Sequence, residues 1–153
     1  VADIQPETMA RIAKLPGIAA IKDASGDLTR VTRHRDLIGA DFCQLSGNDD
    51  LWIGHAVFGG HGCISVTANV APRLCAEFAA ACAVSDFSAA RALHERLFDL
   101  HGAMFADSSP GPVKYALAKI ADWISDEVRL PILPPSATAR VAVDAALEKA
   151  GLI

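Results

Sequence analysis

The stretch GIAAIKDASGD, residues 17–27, gives the clearest indication of the fold. Its first five residues are small or apolar, as is typical of a short buried strand, and they run directly into Lys22. Helical patterns precede and follow the strand, at residues 4–15 and 27–39. A helix, a strand and a second helix in this order indicate a β/α protein. Lys22 is then expected at the carboxyl end of the strand.

The alternation of helix and strand continues along the next part of the chain. Strand-like apolar runs occupy residues 42–47 and 62–68, with a helical pattern at residues 49–58 between them. Strands that alternate with helices predict a parallel sheet joined by right-handed crossovers. Three parallel strands are too few to form a stable sheet covered on both faces, so the segment is expected to belong to something larger.

The character of the sequence changes after Pro72. Alanine- and leucine-rich helical patterns now follow one another without strand-like runs of comparable strength, at residues 73–84, 87–105, 112–121 and 137–150. The predicted division is therefore an α/β segment over residues 1–84 and a helical domain over residues 85–153.

Composition narrows the classes of function. The chain has 153 residues, of which 52% are hydrophobic, and a formal net charge of −4. No apolar run approaches the length of a membrane span, and the basic residues are mostly dispersed, so neither a membrane partner nor a nucleic-acid partner is expected. The high apolar content instead predicts burial of surface against another chain or segment.

The cysteines predict a reducing environment. There are four of them, Cys43, Cys63, Cys75 and Cys82, without a C-x-x-C pair and without the spacing of a metal site. Reduced thiols and no zinc are expected from such a pattern. The first residues also lack the charged and apolar regions of a secretory signal, so the protein is expected to be cytoplasmic.

The strand ends hold the residues with the most chemistry, because ligands of β/α proteins bind at the carboxyl ends of the strands. Lys22 is a natural nucleophile toward a carbonyl and can form an imine there. The alternative is a lysine that pairs with Asp23 or extends into water, which spacing alone favours. Gly47 either lets the backbone approach a ligand or simply ends its strand. Ser65 follows the third strand but belongs to no nucleophile motif with a base partner.

Three motifs in a fixed order resemble a known family. GIAAIKDASGDLTRV, QLSGNDD and GGHGCISVTANVAPR resemble the second half of the dihydrodipicolinate synthase family, within the pyruvate-dependent class I aldolase superfamily. GPVKYALAKI and RLPILPPS resemble its C-terminal helical region, so the resemblance covers essentially the whole chain. It implies the C-terminal part of a TIM (β/α)8 barrel, its last three β/α units, followed by a C-terminal helical domain.

The resemblance also implies a reaction and a set of site residues. Lys22 would form the Schiff base with pyruvate, Ile64 would contact pyruvate through its backbone carbonyl, and Gly47 would lie toward the second substrate. The implied reaction is the condensation of pyruvate with L-aspartate 4-semialdehyde in lysine biosynthesis. The implied assembly is a homotetramer, and no metal or organic cofactor is implied.

The resemblance leaves two alternatives open. Members of the family are about twice as long as this chain. The family's site also includes a tyrosine, threonines and an arginine, which would lie in the half of the family sequence that this chain does not match. Within the superfamily, N-acetylneuraminate lyase or another 2-keto acid aldolase is the closest alternative. From a different class, the segment could be a non-catalytic α/β assembly domain that binds a partner through its apolar surface.

Overall fold

The structure is a computed structural model that describes residues 3–153. The chain divides into two compact units. The first contains the residues up to Ser65 together with Cys82–Ser85, and the second contains Val66–Ala81 together with Asp86–Ile153. The predicted boundary between residues 84 and 85 stays a prediction, because the chain passes between the two units more than once within residues 65–86.

The first unit is the α/β segment. Its elements are α1 (Pro6–Ile12), β1 (Ala20–Asp23), α2 (Thr29–Ile38), β2 (Cys43–Ser46), a 3-10 helix (Asp49–Leu51), α3 (Trp52–Val57) and β3 (Gly62–Cys63). The three strands form a parallel sheet in the order β1-β2-β3, with Lys22 opposite Leu45 and Ser46 opposite Cys63. The predicted α/β class with a parallel sheet is confirmed.

The first strand begins later than the sequence pattern predicts. The expected strand covered residues 17–21, whereas β1 covers Ala20–Asp23. Gly17 has a φ of +84°, and the Ile18 amide donates to the Leu15 carbonyl at 3.3 Å, so these residues form a turn after α1. Lys22 therefore lies within the strand and is not the residue that follows it.

The third strand is shorter than predicted. The expected strand covered residues 62–68, whereas β3 covers only Gly62–Cys63 and a 3-10 helix forms at Thr67–Asn69. The physical reason is that the neighbouring strand β2 ends at Ser46, whose carbonyl accepts from the Ile64 amide at 2.9 Å. Soon after Ser46 the chain enters the 3-10 helix Asp49–Leu51, so an extended segment after Ile64 has no neighbouring strand with which to pair.

The two faces of the sheet differ in how they are covered. The face that carries Gln44 and Ser46 is buried, and these two side chains are 2% and 3% exposed. The side-chain nitrogen of Gln44 donates to the Val31 carbonyl of α2 at 3.1 Å. The side-chain oxygen of Gln44 lies 3.2 Å from His34 Nδ1, so both polar ends of this buried side chain have a partner. Lys22 lies on the opposite face and is exposed. Because residues alternate between faces, that open face also carries Leu45.

The second unit is built from the remaining α-helices of residues 3–153. They are α4 (Pro72–Ala83), whose last residues belong to the first unit, α5 (Phe87–Ala103), α6 (Gly111–Ile120) and α7 (Ala137–Ala150). The core of this unit is apolar and fully buried, and it contains Phe78, Leu97, Leu100, Met104, Val143 and Leu147. None of the helices within residues 3–153 is long and apolar enough to cross a membrane.

Candidate functional site

Lys22 stands beside an open groove at the carboxyl half of β1. The groove has a volume of about 810 Å3 and is lined by Lys22 and by apolar residues that include Ile4, Ile12 and Ile18. β1 is an edge strand of the sheet formed by residues 3–153, so this side of the lysine is not covered by another strand there. The amine is therefore accessible to a small molecule from the open face of the sheet.

Gly47 lies directly against the Lys22 side chain. Its amide donates to the Asp23 carbonyl at 2.7 Å, which carries the β1–β2 pairing one residue past β2. A Cβ atom added at Gly47 would lie 2.7 Å from Ala24 Cβ and 3.0 Å from Lys22 Cε. Real side chains do not approach so closely, so the position beside the lysine requires glycine.

Ile64 is placed on the same face of the sheet as Lys22. Cys63 pairs with Ser46 on the covered face, so the next residue of an extended chain turns toward the open face. The Ile64 amide is held by the Ser46 carbonyl at 2.9 Å, and its side chain is 46% exposed. The structure thus brings Gly47 into contact with Lys22 and places Ile64 on the same open face, at the carboxyl edge of the sheet.

The covered side of the same edge holds a buried histidine. His55 of α3 is 4% exposed, and neither of its ring nitrogens has a hydrogen-bond partner among residues 3–153. A Cβ atom at Gly60 would lie 2.0 Å from His55 Nδ1, so the ring occupies the space that a side chain at Gly60 would need. Burial lowers the pKa of His55 below its ordinary value, His61 lowers it further, and Asp23 opposes the shift. A neutral imidazole is therefore favoured at this position.

No metal site accompanies these residues. Within residues 3–153, no group of three or more histidine, cysteine, aspartate or glutamate side chains lies close enough together to hold an ion. The four cysteines are free thiols, and Cys75 is buried while the other three are partly buried. The groups at the open face are an amine, backbone amides and backbone carbonyls, which suit a covalent imine and hydrogen bonds to a small anion or carbonyl compound.

Comparison with known proteins places this geometry in a family. A model of the dihydrodipicolinate synthetase family matches residues 1–150. The chain belongs to this family. It is 66% identical over 153 residues to the 4-hydroxy-tetrahydrodipicolinate synthase of Sphingopyxis alaskensis and 60% identical over 155 residues to that of Erythrobacter litoralis. Both matches take in 100% of this chain and 53% of the relative, so the chain spans about half the length of these curated relatives.

Solved structures of the dihydrodipicolinate synthetase family have the same fold over this region. The Acinetobacter baumannii dihydrodipicolinate synthase, determined in complex with pyruvate, matches with a TM-score of 0.92 at 35% identity, over 99% of this chain and 52% of that chain. The Thermotoga maritima dihydrodipicolinate synthase matches with a TM-score of 0.90 at 36% identity, over 97% of this chain and 51% of that chain. The fold described above is therefore that of about half of a family member.

Sequence reasoning missed one contact of this family member. The Ser65 hydroxyl, which belongs to no nucleophile motif in the sequence, donates a hydrogen bond to the Asp49 carboxylate. Asp49 follows β2 by three residues and Ser65 follows β3 by two. The signal available in the sequence was that both residues come just after neighbouring parallel strands, whose carboxyl ends meet at one edge of the sheet.

Proposed function

We propose that this chain forms the last three β/α units and the C-terminal helical domain of a TIM (β/α)8-barrel enzyme that condenses pyruvate with L-aspartate 4-semialdehyde. The observation that carries the proposal is the position of Lys22, an accessible amine on the open face of the sheet with Gly47 packed against its side chain. The synthase name of the relatives supports the substrates, and the pyruvate complex of the Acinetobacter baumannii relative supports pyruvate in particular.

Lys22 acts as the nucleophile in this reaction. Its amine attacks the keto carbon of pyruvate, and loss of water leaves an imine between the lysine and the former keto carbon. The imine withdraws electrons, so the neighbouring methyl carbon loses a proton and forms an enamine. The enamine carbon attacks the aldehyde carbon of the semialdehyde and forms the new carbon–carbon bond, the aldehyde oxygen takes up a proton to become a hydroxyl, and the enamine returns to the imine. The amino group of the second substrate then displaces Lys22 from the imine carbon, which closes the ring and regenerates the free amine.

Gly47 and Ile64 shape the space around the imine. Gly47 leaves room for the lysine side chain and for the second substrate, since any side chain there would overlap with Lys22 Cε. The backbone carbonyl of Ile64 contacts the bound pyruvate at the opposite end of the three-strand edge. Both roles follow the correspondence with the family motifs, and both agree with the placement of these residues on the face that carries Lys22.

The setting of the enzyme follows the same correspondence. The reaction belongs to lysine (diaminopimelate) biosynthesis, and we propose a cytoplasmic homotetramer with no nucleic-acid or membrane partner. Residues 85–153 form the C-terminal helical domain in this proposal. The relatives named above are synthases, which favours condensation over the N-acetylneuraminate lyase reaction.

The test is a steady-state assay on the protein as its cell makes it. The unmodified protein is expected to consume pyruvate only when L-aspartate 4-semialdehyde is present, and to leave N-acetylneuraminate uncleaved. Lys22→Ala is expected to lower kcat by at least about a thousandfold, because the nucleophile is gone. Lys14→Ala, at an exposed lysine in the turn after α1, serves as the control and keeps full activity. Cleavage of N-acetylneuraminate without condensation, or full activity of Lys22→Ala, would contradict the proposal.

A further inference from the structure

The contact between Asp49 and Ser65 joins the segments that follow two neighbouring strands. The Ser65 hydroxyl donates to Asp49 Oδ1. Asp49 is 2% exposed and belongs to the 3-10 helix after β2, while Ser65 comes two residues after β3 ends. A buried carboxylate is stable only when donors satisfy its oxygens, so this hydroxyl is a structural partner of the acid and not a passing surface contact.

Two hydrogen bonds restrain the residues on either side of one peptide group. The amide of Ile64 is held by the Ser46 carbonyl at 2.9 Å, and the side chain of the next residue, Ser65, is held by Asp49. Between these two anchors lies a single peptide group, the one whose oxygen is the Ile64 carbonyl. The two hydrogen bonds restrain the residues on either side of this peptide group, which narrows ψ at Ile64 and φ at Ser65 and therefore the range of directions that the carbonyl can take.

We propose that Asp49 is a positioning residue that acts through the Ser65 hydroxyl to hold the Ile64 carbonyl in the direction in which it meets pyruvate. This inference rests on the proposed function, since it assigns Asp49 and Ser65 to the pyruvate side of the same site. Asp49 does not touch the reacting atoms in this role. By restraining the carbonyl before pyruvate binds, Asp49 lowers the conformational entropy that is lost on binding.

The role predicts an effect on pyruvate binding more than on the chemical step. A carbonyl that contacts the bound substrate before and during the reaction stabilises both states alike, so its loss raises KM and leaves kcat nearly unchanged. The Ser65–Asp49 hydrogen bond is present with and without pyruvate, so only the cost of ordering the carbonyl enters the affinity, and losing this preorganisation is expected to raise KM about three- to tenfold. A general loss of stability would act differently, because it lowers the amount of folded enzyme and therefore kcat, without raising KM.

The test uses four variants of the protein as its cell makes it. Ser65→Ala, which removes the donor, and Asp49→Ala, which removes the acceptor, are expected to raise the KM for pyruvate about three- to tenfold, with kcat reduced by less than about twofold. Ser65→Thr keeps the hydroxyl and is expected to restore a KM close to that of the unmodified protein. Asp50→Ala is the matched control, because Asp50 is the exposed neighbour of Asp49 in the same 3-10 helix, and it is expected to leave KM unchanged.

A second readout separates this inference from the proposed function. The unmodified protein and each variant are treated with borohydride over a range of pyruvate concentrations, and the adduct on Lys22 is quantified. Absence of any adduct in the unmodified protein would overturn both proposals. An adduct in the unmodified protein with the same half-saturating pyruvate concentration in Ser65→Ala and Asp49→Ala would overturn the positioning role alone. If one of Ser65→Ala and Asp49→Ala does not fold by circular dichroism, the other decides the question, with Asp50→Ala as the control.

Discussion

Gly47 is the residue at which one added carbon atom tests the geometry around Lys22. Gly47→Ala would place its Cβ 2.7 Å from Ala24 Cβ and 3.0 Å from Lys22 Cε, so the lysine side chain must move. We expect pyruvate to trap Lys22 at least about tenfold more slowly, because the amine leaves its productive position. Overpacking of this kind also costs about 1–3 kcal/mol of stability, measurable by urea unfolding.

Gly102→Ala is the matched control for this change. Gly102 lies on an exposed part of α5, and nothing stands within 4 Å of a Cβ added there. Gly102 lies in the last turn of the helix, where alanine is expected to stabilise the protein by up to about 1 kcal/mol and to leave trapping unchanged. Equal trapping rates in Gly47→Ala and Gly102→Ala would show that Gly47 does not shape the space around Lys22.

His55 gives the first unit a dependence on pH that can be assigned to one residue. Burial lowers the pKa of His55 in the folded state below the ordinary value of 6.5, so below that pH the unfolded chain binds more protons than the folded one. The folded state therefore loses stability through His55 as the pH falls below 6.5, because protonating the buried ring is unfavourable. Above pH 6.5 this loss is absent. His55→Phe keeps a flat ring against Gly60 but cannot take up a proton.

The measurement for His55 is the free energy of unfolding between about pH 5 and pH 7. We expect the unmodified protein to lose stability toward acid more steeply than His55→Phe, by up to about 1.4 kcal/mol per pH unit. Identical slopes in the two proteins would mean that His55 is protonated in the folded state without penalty, contrary to its burial.

At the scale of elements, the first turn of α5 offers a clean test of local stability. The Asp86 carboxylate accepts from the Ala89 amide at 3.0 Å and satisfies one of the unpaired amides at the start of the helix. Asp86→Ala is expected to cost about 1 kcal/mol of stability in thermal or urea unfolding. Ser88→Ala, at an exposed position of the same turn, should change stability by less than about 0.5 kcal/mol. A loss of equal size in both variants would contradict the capping role.

The order of elements could be predicted from the sequence, but their ends could not. Helices and strands alternate as the apolar pattern indicates, and α7 covers the same residues, Ala137–Ala150, as predicted. The ends of β1 and β3 differ because a strand extends only as far as its neighbour provides partners, which the pattern of a single strand does not contain. For β3 this neighbour is β2, which ends at Ser46.

The placement of the candidate site residues could be predicted in part from the sequence. Lys22, Gly47 and Ile64 come at the carboxyl ends of successive strands, and parallel strands bring such ends to one edge. The close contact of Gly47 with Lys22 and the hydrogen bond of Ser65 to Asp49 depend on side-chain directions across the sheet. No local pattern encodes these directions, so both contacts emerge only from the folded chain.

At the scale of the whole molecule, the chain spans about half the length of the two curated relatives named above. Beside β1 the groove of about 810 Å3 presents apolar side chains, and Met9 and Ile12 are among them. A parallel edge strand with an apolar groove of this size is a surface that further structure usually covers. In the proposed barrel, the strands that precede β1 cover it.

This surface leads to a prediction for residues 1–153 produced alone. We expect their synthase turnover to lie below about one hundredth of that of a fusion in which they are joined to the half of the Sphingopyxis alaskensis synthase that they do not match, because an incomplete barrel does not position both substrates. The measurement is the condensation assay on both proteins, with circular dichroism to compare their folding. Full turnover by residues 1–153 alone would contradict the half-barrel proposal.

The most direct test of the central claim is the identity of the residue that pyruvate modifies. The protein as its cell makes it is incubated with pyruvate and borohydride, digested with trypsin and analysed by mass spectrometry. The prediction is one reduced pyruvate on Lys22, within the peptide of residues 15–30 that trypsin leaves uncut at the modified lysine. An adduct on a different lysine, or an adduct that persists at full yield in Lys22→Ala, would contradict the assignment of Lys22 as the nucleophile.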